Sequence, residues 1–203
     1  MVKRRYDSQV DDTPENAFGH HAPIWWGNLF ILIIEGAAFA TLVAIYFYIR
    51  RTFDSWPPPR TLVPDLGIPS INLLLLVISV APFWYAARLA HLYDRARVVG
   101  LWLMVGVLFG IAAIVLRGFE FRALHTRFTS NAYGSITWTI LGVHLAHLLA
   151  GTIETFLVGL AMVVGPAEKK HYNDATAVAG YWYFLVISWV VLYPIVFLTP
   201  RFT

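Results

Sequence analysis

Five long apolar runs dominate this chain, at about residues 24–48, 68–87, 98–116, 133–164 and 175–199. A helix needs about 20 residues to cross the hydrocarbon core of a bilayer, and every run is close to that length or longer. Inside a bilayer no water satisfies amide and carbonyl groups, so a spanning chain must close its backbone hydrogen bonds within helices or a sealed barrel. The runs are continuous rather than alternating, and the expected fold class is all-α, a polytopic membrane helical bundle with five transmembrane helices. Composition agrees: 58% of the residues are hydrophobic and 13% charged, and the charges collect between the runs. The layout this predicts is a polar N-terminal tail over 1–23, a transmembrane domain over 24–199 and a C-terminal tail over 200–203.

The run ends carry interfacial signals. Trp25 and Trp26 open the first and Tyr46, Tyr48 and Arg50 close it, the aromatic belt and charged stop expected at a membrane surface. Trp56-Pro57-Pro58-Pro59, with Pro64 and Pro69, cannot remain helical and reads as an extramembrane loop. Pro82 lies inside the second run as an expected kink. Gly106 and Gly110 in the third have the spacing that brings helix backbones close, and residues 117–131 read as a return to polar loop. The fourth run exceeds a perpendicular span and is expected to tilt or protrude.

Several function classes drop out. Cysteine is absent, which excludes disulfides, iron–sulfur clusters and thiolate-held haem or copper. The net charge of +3 arises from 15 basic and 12 acidic residues spread over the loops, with no block suited to nucleic acid. The first 20 residues lack the apolar core of a cleavable signal, so they are expected to be retained. No nucleophile elbow, His-Glu-x-x-His zinc helix or phosphate-cradling glycine loop is present. With the N-terminus inside, eight Lys and Arg fall on that side and seven on the other, which leaves orientation open.

Polar residues within the runs are the candidate site. Glu35 lies about 16 Å along its span from Ile24, near the expected midplane, where a carboxylate facing lipid is costly. It reads either as a proton-handling or lipid-interacting group or as a buried carboxyl tying two helices together. Gly36, Ala40 and Ala44 form a small-residue stripe beside it, which suggests a closely packed neighbour. On the fourth run Thr137, His144, His147, Gly151 and Glu154 gather within an arc of about 100° and make one polar face. His144 has a depth similar to Glu35, so a Glu35–His144 contact is expected. His144 and His147 read as metal or haem ligands or as interhelical hydrogen-bonding groups. Bis-histidine haem in a bundle draws ligands from facing helices, and no other run supplies a histidine, which favours hydrogen bonding. His20, His21, His91, His125 and His171 all fall in expected tails or loops. Glu154, near the end of its run, is expected to reach the interface by snorkelling. Glu120, beside Arg117 and Arg122, reads as a solvated or headgroup-level ion pair or as a specific site.

Several motifs taken together resemble subunit III of the haem-copper oxidases, from Trp25 to Phe197. The helix bearing Glu35 and the following Trp56-Pro57-Pro58 are similar to that family's glutamate helix and Trp-Pro-Pro loop. Pro69 to Asn72 resembles its Pro-Leu-x-Asn helix entry, and Glu120-Phe121 stands where the family usually has Glu-Tyr. Tyr133-Gly134-Ser135, then Gly142-Val143-His144-Leu145-Ala146-His147 and Gly151, match its Tyr-Gly-Ser, Gly-x-His-x-x-His and Gly at the same offsets. Tyr181-Trp182, Trp189 and Leu192-Tyr193 are similar to its closing aromatic helix, although Tyr183 and Val186 replace the His and Asp often found there. Five spans in place of seven resemble the short prokaryotic form.

The resemblance implies a non-redox accessory subunit of a cytochrome c oxidase, an oxygen-reducing and proton-translocating complex of the aerobic respiratory chain. It implies no cofactor in this chain, haem and copper in partner subunits, direct packing on oxidase subunit I, subunit II in the same complex, bound phospholipid and support of proton uptake. It further implies a prokaryotic cytoplasmic (inner) membrane, a cytoplasmic N-terminus, and cytochrome c rather than quinol as electron donor. Alternative readings are a nitric-oxide-reductase-associated member of the same family, a small proton-coupled transporter using Glu35 and the histidine face, and a b-type cytochrome.

Overall fold

The computed structural model describes residues 23–92, 95–165 and 169–202, and the expected N-terminal tail lies largely outside them. Among the described residues five long helices follow one another: α1 (Pro23–Arg50), α2 (Gly67–Ala90), α3 (Ala96–Ala123), α4 (Ala132–Val164) and α5 (Lys169–Tyr193). All five are long and apolar enough to cross a membrane, and the fold is an all-α polytopic bundle. A π-helical turn over Pro194–Leu198 and a short 3-10 turn over Thr199–Arg201 continue α5. Pro194 has no amide hydrogen to offer the α ladder, and the wider turn begins at that residue.

Four helices form a closed ring in which α2 packs on α3, α3 on α4, α4 on α5 and α5 on α2. The outlier is α1, which lies against α4 and α5. Only 11% of its most apolar window is buried, against 33–39% in the other helices. Phe39 and Tyr46 are its buried anchors, whereas Phe30, Ile33, Ile34 and Tyr48 are exposed. The ring is filled by large side chains: Phe83 of α2 stacks on Trp182 of α5 at 4.6 Å, and the Trp182 indole donates to Ser79 at 2.8 Å. The Trp-Pro-Pro loop returns its tryptophan to the bundle end. Trp56 is buried, donates to Tyr46 Oη at 2.8 Å and packs edge-on against Tyr133.

Two boundaries differ from expectation. α3 continues to Ala123 through residues read as loop, because Arg117 and Glu120 stand one turn apart and neutralise each other in the interior. α5 begins at Lys169, earlier than residue 175, which puts His171 in a helix rather than a loop. α2 runs through Pro82 without a break.

Candidate functional site

α4 carries His144 and His147, and they serve different neighbours. They are three residues apart, so their side chains leave the helix about 60° from one another. His144 points into the ring and is fully buried. Its Nδ1 lies 3.1 Å from Arg117 Nη2 and its Nε2 lies 3.1 Å from the Leu185 carbonyl oxygen. A guanidinium only donates, so Nδ1 accepts and Nε2 carries the proton that goes to the carbonyl.

Arg117 is the hub of this dry cluster. Its Nη1 donates to Glu120 Oε2, and its guanidinium lies 3.4 Å from the centre of the Trp189 ring. The other oxygen of Glu120 accepts from Asn72 Nδ2 at 2.6 Å. Asn72, Arg117, Glu120, His144 and Trp189 are all fully buried. Removing two charges from water costs several kcal/mol per ion, and only good geometry with added hydrogen bonds offsets it. Here the ion pair, two charge-assisted hydrogen bonds and a desolvated cation–π contact act together, and the partners come from α2, α3, α4 and α5. The network ties the whole ring. Glu120 is therefore no headgroup-level pair: burial in the bundle replaces the solvated setting expected for it.

The second cluster stands at the seam with α1. His147 Nδ1 donates to the Val143 carbonyl oxygen at 2.6 Å, which leaves Nε2 facing Glu35 Oε1 at 3.7 Å. Tyr181 Oη donates to the same carboxylate oxygen at 3.3 Å, and Glu35 Oε2 is buried without a hydrogen-bond partner. Both side chains of the Glu35–His147 pair keep about a fifth of their surface exposed, at 20% and 21%. Phe39 of α1 closes over both imidazoles, with ring centres 6.0 Å from His144 and 5.1 Å from His147. The expected Glu35–His144 contact is thus corrected. Glu35 meets His147 and Tyr181, because rise along a helix fixes depth and not the direction a side chain leaves the axis. Glu154 is exposed and close enough to Glu35 and Asp174 to interact with their charges. Thr137 is buried but turns its hydroxyl to the carbonyls of Tyr133 and Gly134, so the expected polar face divides into separate parts.

The small residues divide in the same way. A methyl group added to Gly106 would sit 2.6 Å from the Phe83 ring, one at Gly110 2.5 Å from Thr152 Oγ1, and one at Gly151 3.1 Å from Leu185 and Tyr181. These three permit close packing within the ring. Gly142 has nothing within 4 Å of such a methyl, Gly36 meets only Phe184 at 3.7 Å, and Ala40 and Ala44 are exposed. Only the Gly36 end of the stripe on α1 therefore approaches another helix of this chain, and Ala40 and Ala44 are left exposed. Sequence reasoning passed over Gly100, whose added methyl would lie 2.8 Å from the Gly159 carbonyl oxygen where α3 and α4 meet. It also read Arg117 as loop, although the Arg-x-x-Glu spacing was a signal for a helical pair.

Chemically, the dry cluster has no imidazole lone pair left over, since both nitrogens of His144 are bonded. Among the described residues, no three His, Asp or Glu side chains stand together as a metal site would require. Glu35 and His147 face each other at 3.7 Å, beyond direct hydrogen-bond reach.

No family model matches the chain. It is 27% identical over 196 residues to the cytochrome c oxidase subunit 3 of Synechocystis, covering 92% of this chain and 81% of that protein. A probable cytochrome c oxidase subunit 3 of Mycobacterium bovis is 26% identical over 180 residues, covering 84% and 85%. The cytochrome c oxidase subunit 3 of Marchantia polymorpha is 31% identical over 191 residues, covering 86% of this chain and 70% of its own length. The chain belongs to the cytochrome c oxidase subunit 3 family. In this subunit 3 family member, residues that carried the resemblance meet in space. Asn72 of the Pro-x-x-Asn entry bonds Glu120, Trp56 packs on Tyr133, and Gly151 receives Tyr181. Tyr183 is half-buried and Val186 buried, and neither enters the hydrogen bonding of the two polar clusters.

Proposed function

We propose that this chain is the non-redox accessory subunit of a haem-copper terminal oxidase, embedded by its five helices beside a catalytic subunit that holds the haem and copper. Membership of the subunit 3 family carries this reading, and the bonding of both His144 nitrogens inside the bundle supports a structural use of that imidazole. The sparse burial of α1, with its exposed small-residue stripe, supports packing against another membrane chain or lipid. The partners in this reading are subunit I directly, subunit II and cytochrome c within the same assembly, and phospholipid. Glu35 and His147 are the groups through which the chain supports proton uptake, with Glu154 at the exposed edge. The chain sits in a prokaryotic cytoplasmic membrane with its N-terminus on the cytoplasmic side.

The test is affinity purification of the tagged chain from native membranes in a mild detergent. The reading expects a larger co-purifying chain with haem and copper, oxygen-reducing activity in the complex, and no haem absorption when this chain is expressed alone. Haem bound to the isolated chain, a nitric-oxide-reducing partner, or solute transport by the chain without partners would each reject it.

A further inference from the structure

One end of the bundle carries a concave basic pocket that neither polar cluster uses. Loops 51–66 and 124–131 and the adjoining ends of α3 and α4 enclose a volume of 740 Å³, with Arg60, Arg122 and Arg127 on its lining. Among the described residues no carboxylate stands within ion-pair distance of any of the three. The nearby acid, Asp65, is engaged by His125 at 2.8 Å. Phe121 and Trp138, whose ring centres are 4.6 Å apart, form an aromatic wall.

The rim is held firmly. Asn131 Nδ2 donates to Thr61 Oγ1 at 2.9 Å, the Asp65 amide donates to the Ala123 carbonyl oxygen at 2.8 Å, and the Trp138 indole donates to the Thr126 carbonyl oxygen at 2.8 Å. Arg60 and His125, both on the lining, hold left-handed backbone at φ 68° and 51°, a conformation that non-glycine residues keep only when their surroundings enforce it. Three arginines thus border one concavity with no carboxylate paired to them; the Arg122 guanidinium lies 5.8 Å from the centre of the Phe119 ring, and the fork of each guanidinium matches the oxygens of a tetrahedral anion.

We infer that this pocket binds a phosphate-bearing anion, gripped by Arg60, Arg122 and Arg127 with the Ser130 hydroxyl beside them. Two sources share that chemistry, the headgroup of an anionic lipid and a free phosphate ester. Leu62 and Phe128, exposed on the same two loops, offer apolar surface to a lipid. The inference extends the lipid-holding part of the proposed function, and it can fail alone while the assembly stays intact.

The test titrates the purified complex, in neutral detergent, with dihexanoylphosphatidylglycerol, glycerol phosphate and, as a zwitterionic control, dihexanoylphosphatidylcholine, reading binding by phosphorus NMR line broadening. Saturable broadening is expected, weakened about tenfold or more in Arg122→Gln/Arg127→Gln. Arg60→Gly is the second variant. Glycine takes the positive φ without strain, so weaker binding there follows from the lost charge and not from misfolding. Broadening by the lipid alone assigns a headgroup site, and equal broadening by glycerol phosphate assigns a free-anion site. Equal broadening by the zwitterionic control, no saturable broadening, or unchanged binding in both variants overturns the inference. Loss of a neighbouring subunit from Arg122→Gln/Arg127→Gln with anion binding intact overturns it too, and makes the pocket a protein interface.

Discussion

His144 and His147 occupy one helix less than a turn apart, yet their surroundings have little in common. His144 is sealed in the ring, with both nitrogens bonded to groups on other helices. His147 spends one nitrogen on its own helix and turns the other toward a carboxylate, at the seam where α1 is loosely held. Where four helices converge, the ion pair and the imidazole are bonded from helix to helix and hold the bundle together, although Asn72 Oδ1, Arg117 Nε and Trp189 Nε1 are buried without a hydrogen-bond partner. Where one helix leans on a ring, a pair of titratable groups stays partly open and one carboxylate oxygen remains unpartnered. The two imidazoles thus occupy opposite settings, one sealed within the ring and the other partly open at the seam.

Substitutions should break that contrast in graded order. Glu120→Ala removes the counter-charge of a fully buried guanidinium and should cost about 3–5 kcal/mol, read as loss of the folded subunit in thermal unfolding of the detergent-solubilised protein. Adding Arg117→Met should restore much of that loss, because no charge then remains to be compensated. Gly110→Val drives a side chain into Thr152 and the Trp182 ring and should cost about 1–3 kcal/mol in the same measurement. Glu35→Gln keeps an oxygen able to accept from Tyr181 and should change stability by less than about 1 kcal/mol, while removing a carboxyl signal from the infrared spectrum. The smallest effect belongs to Ala40→Leu. Ala40 is exposed, so the change should leave the isolated subunit within about 0.5 kcal/mol of wild type, with any loss appearing only in retention of the partner subunits.

The spans were legible because hydropathy reports directly on what a bilayer tolerates, and the five runs needed no tertiary information. The end of α3 was not. Hydropathy scores charges singly, so Arg117 and Glu120 each argued for loop, whereas together they form a neutral pair stabilised by Trp189 from a helix far along the chain. The seam was read at the correct helices but with the wrong histidine, since an axial rise of about 1.5 Å per residue sets depth and carries no azimuth. Small-residue spacing met the same limit. Gly110 and Ala40 look alike in sequence, and only the position of α1 outside the ring separates a packing contact from an exposed stripe.

The most direct test compares His144→Ala with His147→Ala by thermal unfolding of the detergent-solubilised subunit. Removing His144 leaves Arg117 and the Leu185 carbonyl without their buried partner, and a loss of about 2–4 kcal/mol is predicted. His147→Ala should fall within about 1 kcal/mol of wild type, because its one hydrogen bond is to its own helix and its partner carboxyl keeps Tyr181. Equal losses in the two variants, or a larger loss at His147, would contradict the division between a dry structural core and a loosely held, partly open seam.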